Sequence, residues 1–344
     1  MDAAPTTTPR DGRTAIHARL LALDTHIDIP WPEGPGFATD GERRVDLPKM
    51  KRGGLAGGFF AAFVPQTVVN AANEQAAFER ARAMLLAIRA MGDLPGARLA
   101  TTADAIEQAW RDGVIAVVPA VENGFAAGTD LDRLGAFRAL GATYVTMTHN
   151  GHNALADAAI ARPDLGDTAS RHGGLSALGR EAVDVMNRLG LLIDVSHAAK
   201  PTMMQLASLS ATPIVATHSC MRALCDHPRN LDDEQLDVIR GVGGVVQVTA
   251  VSGFVRLRAR ESEVTVSDFC DHIDYAVRRI GIAHVGIGSD FDGGGGFVGW
   301  RDAADSPNIT AELLRRGYEP DALAALWGGN FLRVMRQAEA AAAP

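Results

Sequence analysis

Apolar residues in this chain fall in short continuous runs, separated by longer stretches with apolar positions at helical spacing. The first run, Leu20-Leu21-Ala22-Leu23, leads into Asp24-Thr25-His26-Ile27-Asp28-Ile29 and stops at Pro30, which a central strand does not accommodate. Seven more runs follow at 57–65, 114–121, 142–148, 191–196, 213–217, 243–251 and 284–289. A short lead-in helix is expected over 14–23. Helices are predicted at 73–92, 102–112, 130–140, 176–189, 200–209, 232–240 and 267–279, with alternating helix and turn from about 309 to 340. Gly113, Gly141 and Gly190 sit where three of these helices should stop. Two loops, 31–41 and 151–173, are rich in Gly and polar residues and long enough to cover a site.

Strands buried on both faces of a parallel sheet read as unbroken apolar runs, as these do. Eight of them alternating with helices predict a single (β/α)8 TIM barrel, of metal-dependent hydrolase type, over residues 1–344, with a short N-terminal lead-in and C-terminal helices. An open doubly wound sheet would carry a Gly-rich fingerprint after its first strand, and that segment has none.

Composition changes this picture little. The 344 residues are 47% hydrophobic and 22% charged, which suits a globular protein with a large core. A net charge of -8, with both signs interspersed, leaves no basic footprint for nucleic acid or an anionic membrane surface. Three cysteines, Cys220, Cys225 and Cys270, are too few and odd in number for a disulfide framework, and are expected as buried thiols in a reducing compartment. Residues 1–13 are polar, without the apolar core of a secretory signal, and no apolar run reaches the ~18 residues of a membrane helix. A cytoplasmic location is expected.

The chemistry lies at the ends of the runs. Strand alternation puts His26 and Asp28 on one side, two residues apart. Other runs end in Glu122, His149, His197, His218 and Asp290. A barrel collects all strand C-terminal ends at one rim, so these seven residues should converge there. One zinc needs three protein ligands and a water. Four histidines and three carboxylates exceed that, and suit two metals about 3.5–4 Å apart bridged by a carboxylate. A single-metal site with supporting histidines is the alternative. The other histidines, His17, His152, His172, His227, His272 and His284, are expected to pack or face solvent.

Several segments, in order, resemble the membrane (renal) dipeptidase family, peptidase family M19 of the amidohydrolase superfamily. They are DTHIDIP at 24–30, VENG at 121–124, GATYVTMTHN at 141–150 and GLSALGREAVDVMNRLGLLIDVSHA at 174–198. ATHS at 216–219, HPRNLDDEQL at 227–236, GIGSDFDG at 286–293 and GGNFLRVM at 328–335 complete the resemblance, which covers roughly residues 20–338. It implies one zinc held by His26, Asp28 and Glu122, and a second held by Glu122, His197 and His218, with Glu122 bridging. His149 would stabilise the developing oxyanion, and Arg229 would grip the free carboxylate of a dipeptide. Asp290 would move the proton from a zinc-bridged water to the leaving amine. The resemblance further implies hydrolysis of L-Xaa-L-Xaa and L-Xaa-D-Xaa dipeptides, in a homodimer. An amidohydrolase acting on a lactam or N-acyl amino acid, or a non-catalytic metal-binding scaffold, are the other readings. The chain departs from the family at Asn123, where Gly is usual, and at Thr143, where Arg is frequent; both departures bear on substrate preference rather than chemistry.

Overall fold

The computed structural model describes residues 15–34 and 36–342. Within them one parallel sheet runs through β1 (Leu23–Asp28), β2 (Gly57–Phe63), β3 (Ala97–Leu99), β4 (Ile115–Glu122), β5 (Tyr144–Thr146), β6 (Leu192–Asp194), β7 (Val215–Ala216), β8 (Val245–Val248) and β9 (Val285–Ile287). Neighbours follow the order β1-β2-β4-β5-β6-β7-β8-β9, while β3 pairs with β4 off this path. The last strand returns to the first. The Asp290 amide donates to the His26 carbonyl at 3.0 Å, and the Asp28 amide to the Phe291 carbonyl at 2.9 Å. The result is the expected (β/α)8 barrel, nearly closed.

The helices are α1 (Leu47–Arg52), α2 (Ala71–Met91), α3 (Ala103–Arg111), α4 (Asp132–Ala139), α5 (Ala177–Leu189) and α6 (Lys200–Leu209). They continue as α7 (Asp233–Gly241), α8 (Ser252–Val255), α9 (Val266–Ile280), α10 (Pro307–Arg315), α11 (Pro320–Ala324) and α12 (Asn330–Ala341). Local signals explain their limits. Ser176 accepts the Gly179 amide at the start of α5, and Gly190 ends it in the left-handed conformation. Asp232 and Gln235 form a reciprocal capping box on α7.

Three expectations change. The lead-in helix over 14–23 shrinks to a helical turn at 15–17, because Leu23 already pairs with Gly57 in the sheet. The short β3 has no apolar run to announce it, since its residues are only partly buried. The helix α1 lies in a stretch for which no element is expected; the Asp46 carboxylate caps it by accepting the Lys49 amide at 2.8 Å. The loop at 31–41 packs inward through Phe37, whose ring meets Phe60 at 5.3 Å.

The two ends of the barrel differ. Residues at the starts of β1, β5, β6, β7 and β8 (Leu23, Tyr144, Leu192, Val215, Val245) pack with Phe331, Val334 and Met335 of α12, an apolar plug at the N-terminal end. The GGN motif serves this plug. Asn330 donates to the carbonyls of Ile282 at 2.7 Å and Val285 at 2.8 Å, and Gly328 lets the chain pass close to the Leu21 carbonyl. The polar strand ends are left to the opposite rim.

Candidate metal centre

That rim gathers all seven strand-end residues. Glu122, the last residue of β4, is the hub. His197 Nε2 lies 3.2 Å from its Oε1, His218 Nε2 3.5 Å and His149 Nε2 3.9 Å, while His26 Nε2 lies 3.5 Å from Oε2. The rings of His26 and His218 stand 3.8 Å apart, and those of His149 and His197 4.1 Å. Asp28 and Asp290 face each other across Gly293, where a Cβ would strike a carboxylate oxygen of each. His197 and Asp290 both have positive φ (67° and 60°), a backbone conformation that costs ~1–3 kcal/mol and concentrates at functional sites.

Three imidazoles are held from behind. His26 Nδ1 bonds the Tyr144 hydroxyl at 2.8 Å, His218 Nδ1 the Thr217 hydroxyl at 2.9 Å, and His197 Nδ1 donates to Asn150 Oδ1 at 3.1 Å. Each therefore turns Nε2 toward Glu122. Buried lone pairs facing a carboxylate at these distances repel unless a cation or proton lies between them. His26 Nε2 and Asp28 Oδ1 are in addition buried with no hydrogen-bond partner. The donor set, nitrogen and carboxylate oxygen, fits zinc.

The electrostatics agree. Burial opposes a charge on His26, but Glu122, Asp290 and Asp28 outweigh it and push the imidazole up to about 10. Burial, then His26 and Arg229, hold His218 far below its usual range; burial, Arg229 and His149 do the same for His197. Both stay neutral, as ligands must. Burial and Glu122 raise the carboxyl of Asp28 strongly. Asp290, raised by burial against the pull of His26, comes to about 7.

Mutual approach groups the donors differently from the expected sets. His26, Glu122 and His218 form one cluster, and Glu122, His149 and His197 another. Glu122 is common to both. Asp28 belongs to neither, although it lines the same cleft. His149 is the farthest of the four imidazoles from Glu122 and the most exposed, its ring tilted against Phe63 at 4.7 Å, and nothing among the described residues pins it by a hydrogen bond.

The cleft holds about 270 Å³ and is lined by Asp28, Glu122, His149, His197 and Asp290, with Phe63, Val251 and Phe254 as its apolar wall. Arg229 is buried beside it. Its guanidinium lies 5.4 Å from the centre of the Phe254 ring and donates to the His218 carbonyl at 3.1 Å, while its Nε has no partner. Burial lowers its pKa to about 10, against Asp290 and Glu122.

A family profile, Membrane dipeptidase (Peptidase family M19), matches residues 10–344. The chain belongs to peptidase family M19. This M19 chain is 32% identical to dipeptidase verJ of Clonostachys rogersoniana, over 93% of its own length and 86% of that protein. Among solved structures it resembles the probable dipeptidase PvdM from Pseudomonas aeruginosa, with a TM-score of 0.92 and 30% identity over 97% of this chain and 100% of that one. It also resembles a metallo peptidase from Rhodobacter sphaeroides liganded with a phosphinate mimic of the dipeptide L-Ala-D-Ala. That likeness has a TM-score of 0.83 and 27% identity, over 93% and 99% of the two chains. The protein thus stands among metallo-dipeptidases.

The two departures from the M19 pattern lie off the reaction path. Asn123 has φ 87°, a conformation that Gly and Asn adopt most readily, and its side chain donates to the Val64 carbonyl at 3.0 Å. Thr143 donates to the Pro119 carbonyl at 3.0 Å. Four of the other histidines bond backbone carbonyls, His152 that of Thr168, His172 that of Asn153, His272 that of Val255 and His284 that of Gly244, while the ring of His227 packs on Phe254 at 4.4 Å. All three cysteines are free and buried. Sequence reasoning missed Asp194 and Thr217, behind the ligands, and the cleft wall at Phe63 and Phe254. A carboxylate inside the apolar run 191–196 was the available signal for Asp194.

Proposed function

We propose that this M19 protein hydrolyses the peptide bond of dipeptides, L-Xaa-D-Xaa as well as L-Xaa-L-Xaa, using two zinc ions bridged by Glu122. The observation that carries the reading is one buried carboxylate ringed by four imidazole nitrogens, with a buried, part-unpartnered arginine beside the same cleft. His26, Asp28 and Glu122 would hold one ion, and Glu122, His197 and His218 the other. When bound, the two cations bring the pKa of a water toward neutrality and polarise the scissile carbonyl.

The chain's own groups do the rest. Arg229 takes the C-terminal carboxylate; a planar guanidinium matches it with two parallel hydrogen bonds. That end of the substrate then lies against Phe254 and Val251. His149, neutral through burial and with its proton on Nε2, donates to the carbonyl oxygen as negative charge develops. Asp290 accepts the proton of the attacking water and passes it to the leaving amine. The relative liganded with a phosphinate mimic of L-Ala-D-Ala supports a D-residue at the C-terminal position. A homodimer in the cytoplasm belongs to the same proposal.

Metal content by mass spectrometry and turnover of matched L,L and L,D dipeptide panels test it together. About two zinc per chain with cleavage of both panels is expected. Two metals with no dipeptide turnover would move the substrate to another amide, and no stoichiometric metal would overturn the reading.

A further inference from the structure

Behind the ligands lies a buried carboxylate that the reaction does not use. Asp194, at the end of β6, is fully buried and accepts four hydrogen bonds. Its Oδ1 takes the amides of Ser196 at 2.9 Å and Thr217 at 3.0 Å. Its Oδ2 takes the hydroxyls of Thr146 at 2.6 Å and Thr217 at 2.7 Å. Asp194 Oδ2 accepts from the Thr217 hydroxyl, so the single proton of that hydroxyl is committed to Asp194. The lone pairs of that oxygen then face His218 Nδ1 at 2.9 Å and His26 Nδ1 at 3.3 Å. His218 must donate there from Nδ1, whereas the single Nδ1–H of His26 is taken at shorter range by Tyr144. Tyr144 repeats the device on His26: its hydroxyl donates to the Thr25 carbonyl at 3.1 Å and so accepts from His26 Nδ1 at 2.8 Å.

We infer that Thr217, oriented by Asp194, is a positioning residue that locks His218 in the Nδ1–H tautomer. Its hydroxyl thereby presents the His218 Nε2 lone pair to the metal centre. The inference rests on the two-metal reading above. A ligand histidine usually has its own carboxylate or carbonyl behind it. Here the carboxylate acts through an intervening threonine, and His26 keeps its own anchor on Tyr144, so a change at position 217 should weaken the hold on His218.

The test compares wild type with Thr217→Val and Thr217→Ser. Valine has the shape of threonine and keeps the backbone N–H to Asp194, but has no hydroxyl; serine keeps the hydroxyl. Zinc-loaded proteins are titrated with a competing chromogenic chelator. Histidine ring ¹⁵N shifts are then read on the chelator-treated proteins, and melting temperature confirms folding. Thr217→Val should lose zinc 10–100-fold more readily and show an Nε2–H signal assigned to His218 that is absent from wild type, while Thr217→Ser should behave as wild type. Asp194→Asn should give the same tautomer change with Thr217 intact, since the hydroxyl is then free to donate to His218; if that variant does not fold, the Thr217 pair decides alone. Wild-type zinc retention and unchanged ring signals in Thr217→Val would overturn the inference and leave the two-metal reading standing. A wild-type protein that retains no zinc would overturn both.

Discussion

At the scale of single residues, the site separates imidazoles that are anchored from behind from one that is not. Three histidines have their Nδ1 atoms anchored, whereas His149 has no such hold and faces the cleft. Asp290→Asn removes the proton acceptor while keeping a residue that tolerates positive φ. It should lower kcat by about 10²–10⁴-fold with zinc content unchanged, measured by steady-state kinetics and mass spectrometry. Arg229→Ala should act on binding instead. KM for free dipeptides should rise by about 10–100-fold, on the order of 1.5–3 kcal/mol for a lost charge-assisted hydrogen bond. Dipeptide C-terminal amides, expected to be poor substrates of the wild type, should be affected little. Equal effects on acid and amide would remove Arg229 from the substrate.

At the scale of elements, two tethers connect distant parts of the chain. Asp292, in the turn after β9, accepts the amides of Arg44 at 2.7 Å and Val45 at 3.2 Å and the Arg43 guanidinium at 3.2 Å. It therefore holds the segment before α1 to the rim rather than touching the cleft. Asp292→Ala should open residues 41–45 to limited proteolysis while zinc content stays near wild type. The second tether is His17, in the turn at 15–17. It bonds Thr310 of α10 at 2.6 Å and stands edge-on to Trp327, which donates to the same hydroxyl at 2.8 Å. Burial lowers its pKa to about 4. The unfolded chain protonates this histidine below pH ~6.5 and the folded one only below about 4, so stability falls as pH drops through that window. The loss approaches roughly 3 kcal/mol at its foot. Denaturant titrations at pH 7 and 4.5 should show a smaller acid loss in His17→Asn than in wild type. An equal loss would place the acid-sensitive group elsewhere.

At the scale of the whole molecule, the centre joins β1, β4, β6 and β7, strands far apart in the chain, so metal binding and barrel stability are linked. Without the cations, Glu122 and its imidazoles keep only one another. Phenanthroline or EDTA should abolish activity, and added Zn²⁺ should restore it. A ligand present at 1,000 times its Kd stabilises by about 4 kcal/mol, so in a chain of this length chelation should lower Tm by roughly 5 °C per ion. An unchanged Tm in scanning calorimetry would mean that the rim contributes nothing to holding the barrel closed. No helix among the described residues is long and apolar enough to cross a membrane.

The sequence by itself determined the strand runs, most helices and the residues that end the strands. Each rests on local physics: an apolar run buried on both faces, a capping side chain, a glycine free to take positive φ. The convergence of His26, Asp28, Glu122, His149, His197, His218 and Asp290 followed from barrel topology alone. Contacts that depend on direction were out of reach. That Thr217 gives its proton to Asp194, that Asp292 holds the Arg43–Val45 segment, and that Phe254 backs Arg229 are matters of side-chain orientation between segments far apart in the chain. Spacing along the chain carries no record of such angles. The same holds for the distances of His197, His218 and His149 from Glu122, which differ by a few tenths of an ångström and are set only by the packed barrel.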